Sequence, residues 1–64
     1  MRLQEFRVRM DRQFGSMRAE SLVRDHVFAS LGGRTARVAI DGGLPVRTVW
    51  LAICEEYDVP KKER

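Results

Sequence analysis

A single cysteine, Cys54, and a single histidine, His26, most constrain what this 64-residue chain can fold into. One cysteine closes no internal disulfide, and one Cys with one His cannot supply the four ligands of a structural zinc site. A domain of this size buries only about 60% of the surface its unfolded chain exposes, so apolar burial and chain entropy nearly cancel. With covalent and metal staples removed, the fold must rest on efficient helix packing or on a partner. The length allows one domain, residues 1–64, and leaves no room for a deep catalytic cleft beside a full core.

Glycine divides the chain into blocks that read as helices, since no block alternates with period two and β-branched residues do not cluster. In block one, Arg2 to Phe14, the residues Leu3, Phe6, Met10 and Phe14 share one helix face. Glu5 and Arg9 have the favourable i,i+4 order for an ion pair, and Val8 sits on the polar side. Block two is predicted as a helix from Met17 to Leu31, with Ser16 as N-cap and Gly32 as its left-handed cap. Its broad face holds Ala19, Leu22, Val23, His26, Val27 and Ser30, while Met17, Phe28 and Leu31 point elsewhere. Block three is short, Ala36 to Asp41, with Thr35 as N-cap and Gly42 or Gly43 as terminator. Block four opens at Pro45, a good first helical residue, and runs to about Tyr57. Its face of Val46, Val49, Trp50, Ile53 and Tyr57 is widened by Leu51 and Cys54. Asp58-Val59-Pro60 stops it, and 61–64 is predicted to fray. The expected architecture is all-α: a compact bundle of four helices, the third short.

The last two helices carry one suggestive spacing. Ala39, Gly43 and Val49 match the small residue, turn glycine and locking apolar residue of a helix-turn-helix. DNA contacts would then fall to Arg34, Arg37, Arg47 and Thr48. The charge distribution argues against that docking. The formal charge is +3, but residues 1–40 hold eight basic and four acidic side chains, whereas 41–64 hold four basic and five acidic. The excess therefore lies on the half that does not contain the recognition helix. The N-terminal arginines are interrupted by Glu5, Asp11, Glu20 and Asp25 and have no interleaved aromatics to stack bases, which reads as an ion-paired surface.

No constellation for chemistry stands out. His26 has no sequence-local partner and reads as a half-buried histidine bonded to a neighbouring group. Cys54 lies beside Trp50 and Ile53, and Glu55 and Glu56 are expected to raise its pKa, which disfavours a thiolate. The serines lie in no nucleophile-elbow sequence. Gly32-Gly33-Arg34-Thr35 lacks the spacing of a phosphate loop. No apolar run approaches a transmembrane length, and a free thiol suits a reducing cytoplasm.

Met1-Arg2-Leu3, Glu5-Phe6, Phe14-Gly15, Arg24-Asp25-His26-Val27, Leu31-Gly32-Gly33-Arg34-Thr35, Ala39, Gly43, Pro45, Val49-Trp50, Cys54 and Val59-Pro60 together resemble the short actinobacterial domain-of-unknown-function family 3046. The resemblance covers nearly the whole chain. It implies a small all-helical cytoplasmic protein, encoded near the recombinase recA and its regulator recX, with no catalytic residues to carry over. Members often place Asp before the proline that opens the last helix, where this chain has Leu44. The expected function is a non-enzymatic interaction or regulatory module that docks on another protein, with no cofactor, metal or membrane. Surplus apolar positions, Met17, Phe28, Leu44, Trp50 and Leu51, make its candidate partner surface. A DNA-binding helix-turn-helix is the alternative.

Overall fold

Helices α1 (Leu3–Phe14) and α2 (Ser16–Asp25) are joined by one residue, Gly15, in the computed structural model, which describes all 64 residues. Gly15 has φ +82, a conformation that a side chain would strain. Its N–H still donates to the Asp11 carbonyl, and its own carbonyl accepts from Ala19. Gly15, not Ser16, therefore occupies the capping position of α2, and Ser16 is the first helical residue. The two helices pack along each other and bury Phe6 and Met10 of α1 and Ala19 and Leu22 of α2. The Glu5–Arg9 pair forms at 2.8 Å, and Val8 lies exposed on the polar side, as its position on the wheel requires.

The helix predicted through Leu31 ends six residues earlier, at Asp25. His26 is extended (φ −81, ψ 128), and Val27–Phe28 (β1) pairs antiparallel with Arg34–Thr35 (β2), Val27 opposite Thr35 and Phe28 opposite Arg34. Between the strands, Ala29–Leu31 forms one 3-10 turn. Gly32 keeps its left-handed capping role but caps this turn instead of the helix. The strand alternation turns Phe28 inward to full burial and leaves Val27 outside. Burying a phenylalanine is worth about 1.5–3 kcal/mol, and the hairpin and 3-10 turn replace part of the helical hydrogen bonding given up. The fold is thus mainly helical with a two-strand hairpin inserted, and not a bundle of helices alone.

Helix α3 (Ala36–Asp41) starts at Thr35, whose Oγ1 accepts from the Val38 N–H at 3.1 Å. That cap contributes about 1 kcal/mol, a large share of what holds a helix of two turns. Gly43, at φ +100, turns the chain, and the Leu44 N–H reaches back to the Ala39 carbonyl. Pro45 then caps α4 (Val46–Glu56). Ala39 and Val49 are both fully buried, so the small-residue, glycine and β-branched spacing serves the packing of α3 on α4.

Thirteen side chains form the core, and no polar side chain is buried among them. Trp50 is the largest, with Phe6 edge-on to its ring at a centroid distance of 6.3 Å. The indole N–H donates to the Arg64 carbonyl at 3.2 Å, and the Arg9 guanidinium donates to that same oxygen at 2.9 Å. Arg64 in turn sends its side chain back to the Val59 carbonyl at 2.7 Å and to Glu55 at 3.0 Å. The tail expected to fray instead forms a 3-10 turn, Lys61–Glu63, drawn against α1 and α4 by these bonds. A core without staples is closed over the tryptophan by these Arg64 bonds.

Candidate functional site

The largest concavity, about 620 Å³, is a groove lined by α1, α2 and α3. Its floor is apolar: Phe6, Met10 and Ala19 are buried, Val23 and Ile40 half-buried, and Leu3 is 43% exposed. Its rim is charged, and each helix contributes one base and one acid four residues apart: Arg7 and Asp11, Glu20 and Arg24, Arg37 and Asp41. The rim is therefore neutral. Two of the pairs close across their own helix, Glu20–Arg24 at 3.6 Å and Arg37–Asp41 at 3.9 Å. Arg24 also binds Asp25 at 3.2 Å, and this contact first, with the charges of Asp25 and Glu20, raises its pKa above the ordinary value. Arg7 and Asp11 form no ion pair with each other.

The partner surface expected from surplus apolar residues is divided by the fold. Phe28 and Trp50 are fully buried and offer a partner nothing. Leu44 is half-buried against the core. Met17 is 89% exposed and Leu51 37% exposed, so these two alone remain on the surface. Of the arginines named for DNA, Arg34 donates through Nε to the Leu31 carbonyl at 2.9 Å and braces the hairpin. Arg37 belongs to the groove rim. Arg47 and Thr48 are exposed at the start of α4.

His26 Nε2 lies 2.6 Å from Glu56 Oε2, a link between the end of α2 and the end of α4. Phe28 and Tyr57 flank its ring at centroid distances of 4.6 and 5.8 Å. It is thus a half-buried histidine bonded to a neighbouring side chain, though from the chain crossover and not from a helix face. No three of the His, Cys, Asp and Glu side chains gather as metal ligands.

The Cys54 thiol is buried and its pKa is raised, chiefly by desolvation, while the charges of Arg64 and Arg9 oppose the rise. The direction matches the expectation from sequence, but its main cause is burial and not Glu55 or Glu56. A thiol whose folded pKa is raised contributes stability that is complete below the unfolded value and is lost as pH rises through the folded value. The urea midpoint is therefore expected to fall on the alkaline side, and Cys54→Ala to flatten that fall. In neutral buffer a thiol-reactive dye should label the folded chain at least tenfold more slowly than the urea-unfolded chain. Equal labelling rates would show that Cys54 is not shielded.

Sequence reasoning did not assemble the groove. Its signal was present, as three oppositely charged i,i+4 pairs beside apolar stripes, but their convergence on one floor depends on how three helices meet. The folded tail brings Lys62 and Arg64 beside Arg9 and Arg12 around a polar cleft of about 250 Å³.

The family described as "Protein of unknown function (DUF3046)" matches residues 1–62. The chain belongs to the DUF3046 family. Besides that match, it is similar to the protein named "Putative envelope-preserving system protein Rv2742c" from Mycobacterium tuberculosis (strain ATCC 25618 / H37Rv). The two are 46% identical over 37 residues, 58% of this chain and 13% of that protein. The DUF3046 chain thus aligns with only a small part of its mycobacterial relative. No solved structure matches it. No helix is long and apolar enough to cross a membrane.

Proposed function

We propose that this chain is a non-enzymatic interaction module whose docking surface is the groove among α1, α2 and α3. The observation that carries this reading is an apolar floor inside a neutral, paired-charge rim. Such a surface suits a protein segment of mixed charge. A polyanion would meet as many carboxylates as guanidinium groups there, so nucleic acid is a poor occupant. A small-molecule site needs a few polar groups set deep in the pocket, and here every charge is on the exposed rim. The free buried thiol suits a reducing compartment, consistent with a cytoplasmic protein.

The helix-turn-helix alternative retains one support, the packing of Ala39, Gly43 and Val49, with Arg47 and Thr48 open at the start of α4. Gel shifts with random duplex at low salt test it, and no complex would remove it. The family's gene neighbourhood points toward recombination, and the mycobacterial relative's name toward envelope preservation. Affinity capture from the host's own extract separates these processes and tests the groove. Wild type and Leu51→Glu should recover the same partner, and Leu3→Glu, which places a carboxylate on the floor, should lose it. Equal recovery by wild type and both variants would overturn the groove as the docking surface.

A further inference from the structure

We infer that the groove receives one amphipathic helix of another protein, its apolar face on the floor and an acidic and a basic residue four positions apart set against Arg7 and Asp11. This rests on the interaction reading and names the occupant. The argument begins with backbone polarity. All three walls are helices and no strand lines them, so the groove offers a guest no free sheet edge. An extended peptide laid there would bury its N–H and C=O groups without partners, whereas a helix arrives with them already satisfied.

The rim then selects among helices. The Glu20–Arg24 and Arg37–Asp41 pairs are already in loose ion-pair contact at 3.6 and 3.9 Å, so their charges are partly balanced. Arg7 and Asp11 lie on the same rim with neither in an ion pair, about 6 Å apart along α1 at 1.5 Å per residue. A guest helix with an acid and a base four positions apart spans that same distance and satisfies both charges. A guest helix of either order can match both by its direction in the groove, whereas one with like charges at the two positions meets repulsion at one of them.

Size fits as well. The molecule is at most 25 Å long, which about 16 helical residues span. A standard interface covers about 800 Å² per partner, roughly a fifth of the 4309 Å² this chain exposes. That is more than the floor alone, so rim contacts must take part, and Arg7 and Asp11 are the rim charges without an ion-pair partner.

Selection from a displayed library of 18-residue helical peptides tests this with three baits: wild type, Arg7→Glu and Asp11→Arg. Both positions are exposed, and circular dichroism confirms that each bait is folded. Wild type should enrich peptides with apolar residues at i, i+4 and i+7 and an acid and a base four apart. Arg7→Glu should weaken the selected wild-type peptides about tenfold and enrich peptides with a base in place of the acid. Asp11→Arg should do the converse. Enrichment of proline-rich or extended peptides, the same peptides on all baits, or no enrichment would overturn the inference. If capture depends on Leu3 while the selected peptides ignore Arg7, the occupant is wrong and the interaction reading stands. If Leu3→Glu leaves capture intact, the reading itself falls.

Discussion

Trp50→Ala is expected to leave the chain without a stable fold at 25 °C. Removing a buried tryptophan costs about 3–5 kcal/mol, and native domains carry about 0.05–0.15 kcal/mol per residue, or roughly 3–10 kcal/mol for a chain of this length. The loss is therefore comparable with the whole margin. Nor is it only a cavity. The indole is fully buried, holds Phe6 edge-on, and donates to the Arg64 carbonyl. Without that donor the Arg64 carbonyl oxygen keeps only its bond from Arg9, and the 3-10 turn over the core loosens. Trp50→Phe separates the two contributions. It keeps an aromatic ring against Phe6 and gives up the N–H, so it should cost less and should release the tail selectively. Far-ultraviolet circular dichroism in urea measures the first effect, and amide exchange at Glu63 and Arg64 the second, since both N–H groups bond within the turn. A Trp50→Ala variant that unfolds at the wild-type urea midpoint would show that the core does not depend on this ring. The result also bears on function. A residue whose loss unfolds the chain cannot serve as a surface control, which is why Leu3 and Leu51 carry the capture experiment.

What was legible in the sequence follows the range of the interactions. The Thr35 cap, the two-turn helix behind it, the positive φ at Gly43 and the apolar face of α4 each depend on residues within a few positions, and each appears where local chemistry puts it. The family resemblance was legible too, because its motifs run along the whole chain. The end of α2 was not. Val27, Phe28 and Leu31 continue a helical spacing, and no glycine or proline intervenes before Gly32, so nothing local marks Asp25 as the last helical residue. The break is decided by where Phe28 can be buried, which is a property of the assembled core. The tail is placed by contacts of the same long range. Arg64 is fixed by Arg9, 55 residues away, and by an indole on α4. The groove lies between these cases. Each i,i+4 charge pair is visible alone, but their shared floor exists only once α1, α2 and α3 meet.

Phe28→Ala and Val27→Ala, one residue apart, are expected to differ by more than 2 kcal/mol. In the hairpin, Phe28 is fully buried with His26 and Tyr57 against its ring, and its loss should cost about 3–5 kcal/mol. Val27 is 56% exposed on the opposite face, and surface changes of that kind usually stay within about 0.5 kcal/mol. For a domain of this size each kcal/mol moves the melting temperature by about 4–8 °C, so Val27→Ala should melt within a few degrees of wild type. Phe28→Ala should melt at least 10 °C lower. A helix running through to Leu31 predicts a different pattern, because it puts Val27 on the apolar face and Phe28 on another side. Comparable losses at both positions, or the larger loss at Val27, would restore the continuous helix. Hydrogen exchange reads the turn itself. The Gly33 N–H donates to the Phe28 carbonyl at 3.1 Å, the bond that closes a chain reversal at a left-handed Gly32. Protection at Gly33 in wild type and its loss in Phe28→Ala would tie the local turn to the burial of the ring. The chain then gives up half a helix to seat one side chain, and that exchange positions Thr35 to begin α3, the third wall of the groove.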